Sequence, residues 1–178
     1  MLSCQTGGDI EVNDAINGTD KYAGMKDDAP IIRAYVAAGG RYLGICMGGY
    51  LARQSETDEP GFDLLPRAVA PEEWFKTKGA RNTKDNIVVS VKWGAKKYQM
   101  FYQEGPSFGR KSAPGAEVLG YYSNKEIAAL VIPLEEGKVG VVGPHPEATE
   151  EWYNKYDLKD KDGIDADLAD DLIEKLMK

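Results

Sequence analysis

Histidine is almost absent from this sequence: its 178 residues include one, His145. A typical zinc site, which draws on several histidines or cysteines, is therefore not expected. Cysteine is nearly as scarce, with Cys4 and Cys46 alone. Two thiols cannot build a disulfide framework, and each sits in or beside an apolar run. They read as reduced cysteines in a reducing compartment, which favours a cytoplasmic location. No stretch approaches the ~20 apolar residues of a membrane span. No basic segment opens a signal peptide, because Met1-Leu2-Ser3-Cys4 passes straight into Gln5-Thr6-Gly7-Gly8. Positive charge is in deficit, 22 Lys and Arg against 29 Asp and Glu, for a net charge of −7. That argues against nucleic acid or an anionic membrane as a partner. The basic residues that do cluster, Lys76, Lys78, Arg81 and Lys84, have acids beside them and read as a solvated face. Glycine is plentiful, but not in a G-x-G-x-x-G or Walker arrangement, so no nucleotide site and no cofactor is expected.

The acidic stretch at residues 156–167 (YDLKDKDGIDAD) invites a calcium reading. Counting back from Gly163, Asp162 and Asp160 fit an EF-hand loop, but position 1 is Leu158 and position 12 is Ala169. The stretch is a solvated loop that leads into a helix.

The length suits one domain spanning residues 1–178. Residues 7–29 are rich in Gly, Asp and Asn and read as a long loop. Pro30 then suits a first helical turn, Ile31, Ile32, Tyr35 and Val36 recur at helical spacing, and Gly39-Gly40 stops the helix. Residues 41–45 form a short apolar strand, and a further helix is expected over residues 48–53. Residues 86–93 and 96–103 alternate around Gly94-Ala95 and read as a hairpin. Strands are expected at 118–122, 127–133 and 139–142, a short helix at 71–75 with Trp74 against the core or over the pocket, the core being favoured, and an amphipathic helix over 165–178 capped by Asp165 or Asp167. Helix and strand alternate near the start, which indicates an α/β unit.

The chemistry concentrates in two places. In YLGICMGGYLA, residues 42–52, Gly44-x-Cys46-x-Gly48 is the thiol form of the nucleophile elbow. A strand ends, a helix begins, and the turn between them presents the side chain at the carboxyl end of the sheet. A helix amino-terminus beneath Cys46 would favour the thiolate, and the Met47 amide would face an oxyanion. The bland alternative is a small buried cysteine in a glycine-rich turn. In VGVVGPHPE, residues 139–147, a strand ends and His145 and Glu147 follow, one proline apart. A cysteine nucleophile needs a base, and the base needs an orienting partner. His145 can be the first and Glu147 the second.

GICMGG with a distant HPE resembles the class I glutamine amidotransferase-like superfamily. The resemblance implies a Cys-His-Glu triad on a flavodoxin-like α/β sandwich. The sheet would be mostly parallel with an added β-hairpin, and would lack the usual first strand-helix-strand, as in a chain truncated at its amino-terminus. Four segments are more specifically similar to the biotin-protein ligase N-terminal-domain family: IIRAYVAAGGRYLGICMGGYLA, FYQEGPSF, the strand before GPHPE, and the early glycine pair. Carried over, the resemblance implies Cys46 as nucleophile, His145 as base and Glu147 as its orienter. Gly7-Gly8 matches the early glycine pair, and Gly8 and Met47 amides would form the oxyanion hole. Residues 102–106 would line a pocket, with Gln103, Glu104 and Gly105 as contacts beside Gly7.

The expected function is therefore a cysteine-dependent amide hydrolase or acyl transferase. Its partner would be a small-molecule amide or acyl substrate. Exposed sheet edges would suit a homodimer or a separate partner chain. The competing expectations are a non-catalytic binding or regulatory module on the same fold, and a redox sensor using Cys46 alone.

Overall fold

The computed structural model describes residues 25–56 and 60–178, together with the backbone of residues 2–4. The long loop expected over residues 7–29 falls almost wholly outside them. Pro30 occupies the first turn of helix α1 (Ala29–Ala37), where its missing N–H costs nothing. Gly39, at φ +103°, ends that helix and leads into β2 (Arg41–Ile45). Before it lies a short strand, β1 (Leu2–Cys4). The helix expected at 48–53 is α2 (Met47–Leu51), only five residues long.

The hairpin forms where expected, as β4 (Ile87–Trp93) and β5 (Lys96–Tyr102). The next strands are β7 (Glu117–Tyr122), β8 (Ile127–Leu134) and β9 (Gly137–Val142). Residues 71–75 are not a short helix. They give a two-residue strand, β3 (Glu72–Glu73), paired with β6 (Pro106–Ser107), and run into a 3-10 turn at Trp74–Lys76. Two helices close the chain: α3 (Glu150–Lys155), which the sequence reading did not include, and α4 (Ala166–Met177). Asp165 stands at the amino-terminal cap position of α4 but makes no side-chain cap hydrogen bond.

Seven strands form one sheet in the order β1-β2-β9-β8-β7-β4-β5. The expectation of a mostly parallel sheet is corrected here. Only β1–β2 and β2–β9 run parallel, and the other four pairings are antiparallel. The reason is connection length. Residues 123–126 and 135–136 link β7, β8 and β9, and links that short can only reverse the chain, because a parallel crossover takes a dozen residues or more.

Side chains alternate across β2 and β9, so each strand supplies both faces. Tyr42, Val139 and Val141 pack with Ile32 and Val36 of α1 on one side. Leu43, Ile45 and Val142 pack with Leu168, Leu172 and Leu176 of α4 on the other. The core is thus two apolar layers with β2 and β9 between them, and this places the carboxyl ends of both strands side by side. Among the described residues no helix is long and apolar enough to cross a membrane.

Candidate active site

Cys46 follows β2 directly and holds φ +49°, ψ −106°, a conformation that costs a non-glycine residue about 1–3 kcal/mol. Its neighbours keep it there. The Cys46 N–H donates to the Val142 carbonyl at the end of β9, 2.9 Å away. The Tyr42 hydroxyl donates to the Gly48 carbonyl at 2.8 Å, tying strand to helix across the turn. A Cβ on Gly44 would lie 2.5 Å from that same Gly48 oxygen, so the close return of the chain requires glycine at 44. The sharp strand-to-helix turn expected from the glycine spacing is present. The helix beneath it is not a long one: at five residues, α2 has little macrodipole to offer.

His145 comes from the loop after β9. Its N–H donates to the Phe101 carbonyl of β5, 2.9 Å away. Since β5 is the far edge of the sheet from β1, this bridge shows that the sheet curls until its last strand returns to the end of β9. The imidazole is 3% exposed. Its Nδ1 lies 2.8 Å from Glu147 Oε1, a distance at which the carboxylate accepts the Nδ1 proton. Nε2 is buried. Burial alone would push the imidazole pKa down. Cys46, through its charge and a hydrogen bond, and Glu147, through the same two effects, together outweigh this, and the pKa is pushed up to about 10.

The third part of the site is the segment after β5, and here the contacts are backbone carbonyls. The Cys46 thiol donates to the Gln103 carbonyl, 3.3 Å away. Tyr50 donates to the Glu104 carbonyl at 2.9 Å, Tyr102 to that of Gly105 at 2.9 Å, and Tyr122 to that of Pro106 at 2.8 Å. Four consecutive carbonyls are thus each engaged by a different side chain. The Gln103 side chain is exposed, and Glu104 takes a left-handed φ of +49°. Gly105 is pressed against Gly143, where a Cβ would strike the Gly143 carbonyl. Burial raises the pKa of the Tyr50, Tyr102 and Tyr122 phenols, so all three stay neutral donors. Trp74 stacks on Tyr122 at 4.7 Å and meets Tyr102 edge-on at 5.1 Å, which makes it core at 3% exposure.

Cys46, His145 and Glu147 therefore converge, with residues 103–106 beside them. Met47 begins α2 and is half-buried. Gly7 and Gly8 lie outside the described residues. Sequence reasoning did not single out Tyr50, Tyr122, Phe101 and Trp152. Aromatic residues in strands and short helices look the same whether they build a core or a site. The one available signal is positional: Tyr50 lies one helical turn after Cys46.

No family model and no curated protein sequence matches the chain. Solved structures do. A crystal structure of a glutamine amidotransferase matches with a TM-score of 0.51 and 21% identity, covering 78% of this chain and 70% of that one. The fold is amidotransferase-like. This likeness is one of fold, and does not bear on the biotin-protein ligase N-terminal-domain family. Other similar structures include a GH42 β-galactosidase, Gan42B, with a TM-score of 0.45 and 18% identity over 76% of this chain. An exo-β-1,4-mannosidase from Opitutaceae bacterium strain TAV5 matches with a TM-score of 0.42 and 16% identity over 72% of this chain. The chain spans about one fifth of each of those two enzymes, 20% in both cases.

Proposed function

We propose that the chain is a class I amidotransferase-like enzyme that uses Cys46, His145 and Glu147 as a triad to hydrolyse an amide or transfer an acyl group. The observation that carries this reading is the buried imidazole, held at Nδ1 by Glu147 at 2.8 Å and electrostatically coupled to the sulfur of Cys46. A lone histidine in a structural turn has no need of either neighbour.

In this reading the Cys46 thiolate attacks the carbonyl carbon of a small amide. The carbonyl electron pair moves to oxygen, which the Met47 and Gly8 amides receive. His145 gives its proton to the leaving nitrogen as the C–N bond breaks, leaving a thioester on Cys46. Water then attacks the thioester while His145 takes up its proton, and the acid departs. Glu147 keeps Nδ1 protonated throughout. The glutamine amidotransferase neighbour suggests a primary amide as substrate. Loss of the His145 base would lower turnover by about 10²–10⁴-fold. The test is a screen of small amides and acyl compounds with the wild type, Cys46→Ala and His145→Ala. Hydrolysis abolished by Cys46→Ala, with a Cys46 thioester seen by mass spectrometry, supports the reading. Full activity in Cys46→Ala overturns it.

A second reading is favoured by one contact. The Gln103 carbonyl stands where it can hold Cys46 as a thiol, 3.3 Å from the sulfur. In that reading the triad is a shape inherited by a binding or regulatory module, of the kind the biotin-protein ligase N-terminal resemblance suggests. It predicts a thiol that resists alkylation and ligand binding that survives Cys46→Ala.

A further inference from the structure

The imidazole of His145 is enclosed by more than the triad. Trp152 of α3 lies with its ring centroid 5.3 Å from that of His145, tilted at 57°. Phe101 of β5 meets His145 at 5.9 Å and Trp152 at 5.4 Å, both edge-on, so the three rings form a closed triangle. Phe101 is in turn fixed on its other side. Its N–H donates to the Tyr153 hydroxyl at 2.9 Å, and its ring meets that of Tyr153 at 5.6 Å. Both Trp152 and Tyr153 come from α3, and the same Phe101 carbonyl receives the His145 N–H at 2.9 Å. One short helix therefore holds the histidine by its ring and, through Phe101, by its backbone.

A cation within about 6 Å of an indole face is attracted by the ring quadrupole, and tryptophan is the strongest such partner. The ring centroids of His145 and Trp152, 5.3 Å apart, fall within that range. The charged groups that act on His145 are Cys46, from the turn after β2, and Glu147, from its own loop. Trp152 from α3 and Phe101 from β5 bring no charge, so their action on the proton is through the ring faces and edges.

We propose that Trp152 is a positioning residue that fixes the His145 ring and stabilises its protonated form. This rests on the proposed Cys46-His145-Glu147 site and deepens it. The triad would then be supported by a fourth side chain, carried on the one helix the sequence reading did not include.

The test reads the histidine directly. Because His145 is the only histidine in the chain, long-range ¹H–¹⁵N NMR gives its titration without assignment. In Trp152→Leu the midpoint falls by about one pH unit, a tenfold loss in proton affinity, and Trp152→Phe recovers part of it. Uniform fluorination of the tryptophans weakens the ring face without changing its shape, and lowers the midpoint in the same direction even where Trp152→Leu does not fold. Repeating the titration in Cys46→Ala separates the two claims. A Trp152 effect that persists there stands whether or not Cys46 is a nucleophile. A midpoint that is unmoved or rises in Trp152→Leu, or is unmoved by fluorination, overturns the proposal, because a tryptophan that only buried the ring would raise the midpoint on removal, burial being what pushes the imidazole pKa down.

Discussion

The Cys46 sulfur faces the Gln103 carbonyl oxygen across 3.3 Å, although 57 residues separate them in the chain. A contact of this kind holds a thiol, since a thiolate and a carbonyl oxygen repel each other. In the proposed triad, His145 is the group that would have to displace this contact. The two readings proposed above differ at this contact: the binding module keeps the thiol on Gln103, and the enzyme would release it to act with His145.

Residues 103–106 depend on glycine at a second place. A Cβ on Gly143 would strike the Pro106 carbonyl and the Tyr122 hydroxyl, and one on Gly105 would strike Gly143. Gly143→Ala is expected to lower stability by about 1–3 kcal/mol, the usual cost of overpacking a filled core. It should also change the rate of Cys46 alkylation, because the Gln103 carbonyl moves with the segment. Urea denaturation and timed iodoacetamide labelling measure the two effects.

The tyrosines that hold the same segment are separable. Tyr102→Phe removes the donor to a buried carbonyl and should cost about 1–3 kcal/mol. Tyr50→Phe removes the partner of Glu104 at a more open position and should cost about 1 kcal/mol or less. Denaturant midpoints that reverse this order would contradict the assignment of Tyr102 as the deeper anchor.

Asp165 supplies a pH dependence remote from the site. It is 3% exposed, and its Oδ2 has no hydrogen-bond partner. Burial, helped by Asp160, Asp162 and Asp167, raises its carboxyl pKa to about 7. A folded pKa above the unfolded one means that the neutral form suits the fold. That contribution is complete below the unfolded value near 3.8 and is lost as pH rises through about 7. Asp165→Asn should therefore stabilise the protein by about 1–2 kcal/mol at pH 8 and have little effect at pH 4. Thermal melts of both proteins at the two pH values check it.

Much of this arrangement could be read from the residues. The Gly44 and Gly48 spacing around Cys46 announces a close return of the chain, and a Cβ clash at Gly44 is the physical cause. The hairpin was legible because alternating residues were separated by Gly94-Ala95. The antiparallel run through β7, β8 and β9 departs from the mostly parallel sheet that the resemblance implies, although the short links at 123–126 and 135–136 already require the chain to reverse. Helix α3 was missed because six residues are too few for a periodic pattern to stand out. The arrival of β5 beside His145 could not be read at all. It depends on how far the sheet curls, which is a property of the whole sheet and of no local stretch.

The most direct test of the central claim is the rate of Cys46 alkylation by iodoacetamide from pH 5.5 to 9.5, in the wild type and in His145→Ala. A thiolate sustained by imidazolium predicts a wild-type rate that depends less steeply on pH than the rate in His145→Ala, where the imidazolium is absent. It also predicts a fall of about tenfold or more at pH 6.5 when His145 is lost. A wild-type rate that climbs about tenfold per pH unit, with His145→Ala indistinguishable from it, would contradict the account and leave Cys46 as a thiol held by Gln103.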